Sequence, residues 1–140
     1  MHMKIFTKIL VLAAVVFFAA CSKNNMDIID VYADPSILTG KWKLSETMAD
    51  PGDGSQEWKK VPNESNDYIV FGEDGKLSGN TFKEYSNYAV QDSTILKFTK
   101  PDGVTYQNYS FKLQAGTLSM SPAGPIMCIE ACGIRFKKIE

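Results

Sequence analysis

Cys21, Cys128 and Cys132 are the residues of this 140-residue chain best able to form covalent bonds or hold a metal. Cys128 and Cys132 lie four positions apart. In an extended strand that spacing separates α-carbons by roughly 13 Å, well beyond the ~4.4 to 6.8 Å that a disulfide spans. One helical turn brings the same pair to about 6 Å. A bridge between them therefore predicts a turn or a single coil over residues 128–132. So short a loop would fix local shape more than global stability. In the reduced state, the two thiolates with the thioethers of Met120 and Met127 form a soft donor set suited to Cu(I). The redox compartment decides between these readings.

The first twenty residues bear on the compartment. Lys4 and Lys8 give a positive start, Ile9 to Phe18 an uninterrupted apolar run, and Ala19-Ala20 the small residues a signal peptidase needs. Residues 1–20 read as an export signal. An ordinary cleaved signal and a short membrane anchor are both open readings, though the run is shorter than the ~20 residues of a spanning helix. Export favours a Cys128–Cys132 disulfide. It also removes His2, the only histidine, so the exported chain has no imidazole. That excludes serine or cysteine nucleophiles activated by histidine and histidine-ligated zinc. The carboxylates fall in turn-like contexts such as Glu73-Asp74-Gly75 and Pro101-Asp102-Gly103, with no pair marked for glycosidase-type chemistry. Neither catalysis nor a cofactor is expected. After the signal, 13 basic and 16 acidic residues remain, and Arg135 is the only arginine. Without clustered positive charge, nucleic acid is not an expected partner.

These residues must be positioned by short strands. Residues 21–36 are polar and acidic and read as a tether, with Ile28 to Tyr32 as an alternative edge strand. Residues 37–140 suit one domain. Lys41-Trp42-Lys43-Leu44-Ser45 alternates at period two. Tyr68 to Phe71 runs into Gly72-Glu73-Asp74-Gly75 and on to Lys76-Leu77-Ser78, a hairpin signal. Tyr85 to Gln91 and Thr94 to Lys100 flank Asp92-Ser93, and Pro101-Asp102-Gly103 is a further turn. Val104 and Tyr106 share one phase while Tyr109, Phe111 and Leu113 share the other, which predicts a bulge near Gln107-Asn108. Leu118 to Met120 and Ile134 to Phe136 complete the set. Such spacing predicts an all-β sandwich or closed barrel, and consecutive hairpins favour an up-and-down barrel without exposed edges. The expected inward residues are Trp42, Leu44, Val70, Leu77, Leu96, Phe98, Phe111, Leu118, Ile134 and Phe136. Residues 50–66 form the longest irregular stretch, with Trp58 at its middle.

Ala19-Ala20-Cys21 resembles the lipobox of bacterial lipoproteins, which implies acylation of Cys21 and attachment to a membrane. Gly40-Lys41-Trp42 with a late Arg135 resembles the Gly-x-Trp and closing arginine of lipocalins. The order of lipobox, Gly-x-Trp, Phe71-x-x-Asp74-Gly75 and terminal Cys-x3-Cys-Gly-x-Arg-Phe looks like the small lipocalin-like lipoproteins of Bacteroidetes-type bacteria over residues 37–140. The resemblance implies an eight-stranded barrel floored by Trp42, with Arg135 across its ring. It also implies an apolar or amphipathic small ligand in the barrel mouth, for which Trp58, Tyr85 and Tyr88 are the candidate contacts. Against this stands the bulk of the inward set. About eight strands enclose space for side chains or for one small ligand, so a filled barrel docking on an envelope protein is the competing expectation. An outer-membrane anchor facing the periplasm is expected, with surface display open.

Overall fold

The computed structural model describes residues 35–63 and 65–140. The expected signal segment, Cys21 and nearly all of the tether lie outside the described residues. One helical turn, α1 (Pro35–Leu38), leads into nine strands. They are β1 (Gly40–Ala49), β2 (Trp58–Lys60), β3 (Tyr68–Phe71), β4 (Leu77–Gly79), β5 (Asn87–Val90), β6 (Ile95–Thr99), β7 (Tyr106–Gln114), β8 (Thr117–Pro122) and β9 (Cys132–Lys138).

All ladders are antiparallel, in the order β4-β3-β1-β9-β8-β7-β6-β5, with β2 also paired to β1. β3 pairs with the first half of β1 and β2 with its second half, so the two form one interrupted stave. The seam between β4 and β5 is drawn together by a Lys76–Asn87 bridge and by the Leu77 amide donating to the Ser86 carbonyl at 2.9 Å. The result is a nearly closed up-and-down barrel of eight staves, as the run of consecutive hairpins predicts.

Alternation sets what faces inward. Leu96 and Phe98 on β6, Tyr109 and Phe111 on β7, Leu118 and Met120 on β8, and Phe136 on β9 are buried while their neighbours are less so. β1 breaks phase once, at a bulge between Leu44 and Glu46, where the Ser45 hydroxyl donates to the Arg135 carbonyl. Such a bulge bends a long strand and helps a small barrel close.

Three sequence expectations are corrected. On β3 the buried residues are Ile69 and Phe71 rather than Val70. A run of four apolar residues carries no polar partner to set its phase. β7 has no bulge at Gln107-Asn108, because its pairing with β6 runs unbroken from Tyr106 to Ser110. Gln107 itself takes the inward slot, and Val104 and Tyr106 are exposed. Finally, Trp58 does not sit in an irregular loop. It opens β2, opposite Met48.

The two ends of the barrel are shut differently. At the end where β1 begins, Leu38 and Trp42 are almost wholly buried, and the Trp42 indole N–H donates to the Leu38 carbonyl at 2.7 Å. Gly40 makes this entry feasible. Its φ is +120°, and a Cβ there would overlap the Glu140 carbonyl oxygen, which accepts a hydrogen bond from the Lys41 amide. At the other end the β4–β5 loop turns Phe82 inward with φ of 61°, a conformation costly for a bulky residue. Its ring lies 5.4 Å from Phe98, 5.3 Å from Tyr109 and 6.4 Å from Phe136. Edge-to-face packing of this kind offsets the backbone strain.

Candidate functional site

The structure separates residues that the sequence suggested as partners. Arg135 does not lie across Trp42. After Phe136 turns inward, alternation sends Arg135 to the outer wall, where its guanidinium carbon sits 3.7 Å from the Trp58 ring centroid. There Nη1 donates to Glu46 Oε2 at 2.9 Å. The side chain nearest Trp42 as a cation is Lys138, with Nζ 5.5 Å from the ring. Gly133 completes the outer stack, since a Cβ there would come within 2.8 Å of Trp58 Cη2. The Gly-x-Arg of the last strand thus clamps β2 to the wall through an indole and a guanidinium, a pairing worth about 0.5–1 kcal/mol when exposed.

Trp58, Tyr85 and Tyr88 do not form one mouth. Trp58 is on the outer wall. The Tyr88 hydroxyl donates to the Gly72 carbonyl at 2.8 Å and its ring meets Phe71 edge-on at 4.9 Å, beside the β3–β4 turn. Tyr85 belongs to the β4–β5 loop, against Phe98 at 5.9 Å. Burial raises the phenol pKa values of Tyr85, Tyr88 and Tyr109 above the ordinary tyrosine value. The Glu84 charge adds to this at Tyr85 and Tyr109, and the Asp74 charge at Tyr88. The folded state thus favours the neutral phenols. Their stabilising contribution is complete below the ordinary value of about 10 and is lost as pH rises through the higher folded values. In an alkaline titration, the tyrosinate absorbance of these three is expected to lag and then rise together with unfolding. A single ionisation step of all the tyrosines near the ordinary value, with the barrel intact, would contradict their burial.

The exposed apolar side chains gather elsewhere. Ile126, Met127 and Ile129 are 71%, 67% and 99% exposed, all within the β8–β9 loop at the end away from α1. This loop is braced on both flanks. The Gln107 side chain, 3% exposed, reaches from β7 and pairs with the backbone of one loop residue. Its Nε2 donates to the Ile126 carbonyl at 2.7 Å, and the Ile126 amide donates to its Oε1 at 3.0 Å. The Asn108 amide donates to the Gly124 carbonyl at 2.6 Å, and the Asp50 amide to the Ala131 carbonyl at 2.8 Å. The chain bends over residues 128–132, bringing the α-carbons of Cys128 and Cys132 to 6.1 Å, with the thiols at disulfide distance. Met120 is buried in the wall while Met127 is exposed, so the thioethers do not gather around the cysteines. Among the described residues no three His, Cys, Asp or Glu side chains converge as metal ligands.

Beside that loop, the β6–β7 turn presents Val104, 79% exposed. Asp102 shapes this turn. Its carboxylate accepts from the Thr105 hydroxyl at 2.6 Å and from the Val104 and Thr105 amides at 2.9 and 2.8 Å. These bonds, the hydroxyl's first among them, hold its pKa below the usual carboxylate value. Two shaped turns therefore hold four apolar side chains in water at one end of the barrel. The sequence reading gives Val104 only a place in a bulge, gives Met127 only a thioether role beside the cysteines, and gives Ile126 and Ile129 none, although Ile126-Met127-Cys128-Ile129 is an apolar run in a turn with no alternation to bury it.

Fold and site together define a small antiparallel up-and-down β-barrel with a packed interior and an apolar loop tip. Compared with protein-family models, curated proteins and solved structures, the chain matches none.

Proposed function

We propose that this protein is a non-catalytic lipoprotein, anchored through acylated Cys21 to the periplasmic face of the outer membrane, which docks on an envelope protein through its β6–β7 and β8–β9 turns. The observation that carries this reading is the contrast between inside and outside. The barrel is packed by rings at both ends, while Ile126, Met127 and Ile129 stand in solvent on a hydrogen-bonded loop. Apolar groups held out of a core in this way mark contact surfaces. A small ligand within the barrel is the weaker reading, because Phe82, Phe98, Tyr109 and Phe136 fill the end where it would enter. The chain enters the barrel at the α1 end, opposite these turns. The absence of imidazole after signal removal supports a non-catalytic role.

Photo-crosslinking in intact envelopes tests the proposal. A benzophenone side chain at Ile129 is expected to give one discrete adduct, and the same probe at Ala89, exposed on β5, none. Ile126→Asp should reduce the Ile129 adduct at least about tenfold with little change in stability, since exposed substitutions usually stay within ±0.5 kcal/mol. Equal labelling from both positions, or an adduct indifferent to Ile126→Asp, would remove the docking reading.

A further inference from the structure

The outer wall holds a second feature that the docking reading does not use. Where β1 changes partner from β3 to β2, the outer wall carries a cleft of about 320 Å³, bounded on one side by Val61, Pro62 and Asn63. That volume falls at the small end of sites for organic ligands. Lys43, Lys60 and Lys137 line it together with Val61, Pro62 and Ile139. Lys43 and Lys137 are direct partners across the β1–β9 ladder, and both point outward. Like charges placed opposite one another destabilise a sheet. The cleft also contains Glu46, but that carboxylate is engaged by Arg135 at 2.9 Å, in the one salt bridge found among the described residues. Lys43 Nζ donates to the Asn63 carbonyl at 3.0 Å, which fixes its position at the rim without neutralising it. Three lysines therefore line a concave, partly apolar space in a protein whose exported chain is acidic overall.

We infer that this cleft binds a phosphomonoester carried on a ring-sized organic body, such as a sugar phosphate, either free or as the headgroup of a phosphorylated glycolipid. The chemistry of the donors selects this class. Planar, bidentate recognition of a carboxylate is the work of arginine, and the only arginine is held by Glu46 and Trp58. Lysines bind phosphate as point charges, and a dianion relieves the repulsion between Lys43 and Lys137. Val61, Pro62 and Ile139 offer an apolar flank for the face of a sugar ring. Ile139, 48% exposed, is available for such a contact.

The test is a ¹⁵N NMR titration of the exported chain carrying Cys21→Ser with glucose 6-phosphate, with glucose and with inorganic phosphate as controls. Glucose 6-phosphate is expected to move the amide signals of Lys43, Val61 and Lys137, with inorganic phosphate weaker and glucose silent. Lys137→Gln should weaken binding about tenfold, the loss of one charge-assisted contact. The same variant should raise the melting temperature by about 1–2 °C, because a repulsive pair is removed. Lost binding with a higher melting temperature cannot be misfolding. Flotation with phosphatidylcholine vesicles, with and without a monophosphorylated glycolipid, identifies the source. Lys137-dependent flotation on the glycolipid vesicles alone assigns the headgroup, and Lys137-dependent binding of glucose 6-phosphate assigns the free ligand. The inference is overturned if neither probe binds, if signals of Lys97 and Lys112 on the far wall move equally, or if Lys137→Gln leaves both affinities unchanged. None of these outcomes bears on the crosslinking at Ile129, so the two proposals fail separately.

Discussion

Trp42→Ala is expected to destabilise the barrel by about 3–5 kcal/mol, the range for deleting a large buried aromatic. Against the ~5–15 kcal/mol total of an ordinary domain, that removes a large fraction of the stability. The reason is position as well as size. Trp42 is 1% exposed, closes the α1 end and pairs across the ladder with both Ile69 and Lys138. Its indole N–H also satisfies the Leu38 carbonyl, so Trp42→Phe, which keeps most of the ring, should still cost about 1–2 kcal/mol through the orphaned acceptor. Trp58→Ala is the informative comparison. That ring lies on the outer wall against Arg135 and Gly133, and its removal should cost less than Trp42→Phe and Trp42→Ala differ. Urea denaturation of the three variants gives the ranking. If Trp58→Ala were as damaging as Trp42→Ala, the assignment of floor and outer clamp to different tryptophans would be wrong.

The staves of the barrel were legible because most of them alternate. Lys41-Trp42-Lys43, Leu96-Lys97-Phe98 and Tyr109-Ser110-Phe111 each carry one polar and one apolar face, and the structure buries the apolar one. Phase was lost where that contrast vanishes, as in Tyr68-Ile69-Val70-Phe71, and where a polar residue took an inward slot, as Gln107 did. The cysteine spacing limited residues 128–132 to a bend because covalent reach is a local quantity. The site was far less legible. The Trp58–Arg135 stack joins residues 77 positions apart, and only the ladder register of β1 with β2 and β9 brings them together. The lysine cleft has the same origin: Lys43, Lys60 and Lys137 share no motif, and the register of β1 with β2 and β9 makes them neighbours. Even the glycine of Gly40-x-Trp42 has a cause invisible in its own segment, since the chain's last carbonyl occupies the space a side chain would need.

Gln107→Leu is expected to cost about 1–3 kcal/mol, the penalty for leaving buried polar groups without partners. Its larger effect should be on docking. Leucine has nearly the same bulk and suits an inward position between Tyr109 and the β6–β7 turn, so the barrel itself should persist. What disappears is the paired donation and acceptance with Ile126, the side-chain contact that spans from wall to loop beside the backbone bonds of Asn108 and Asp50. The Ile126 amide should then exchange with solvent far faster than in the parent, while amides of β7 and β8 keep their protection. Ile126, Met127 and Ile129 remain present in this variant, but their loop must be ordered at the moment of binding. Immobilising each such side chain takes about 0.5–1.5 kcal/mol from the association, so the adduct formed from Ile129 should fall about tenfold or more with every apolar contact residue intact. Gln107→Glu sharpens the distinction. A carboxylate still accepts from the Ile126 amide but presents a second acceptor to the Ile126 carbonyl, so it should weaken docking at neutral pH at least as much as leucine does. Should the Ile129 adduct survive both substitutions undiminished, a shaped loop would not be what the partner recognises, and the buried glutamine would serve the barrel alone.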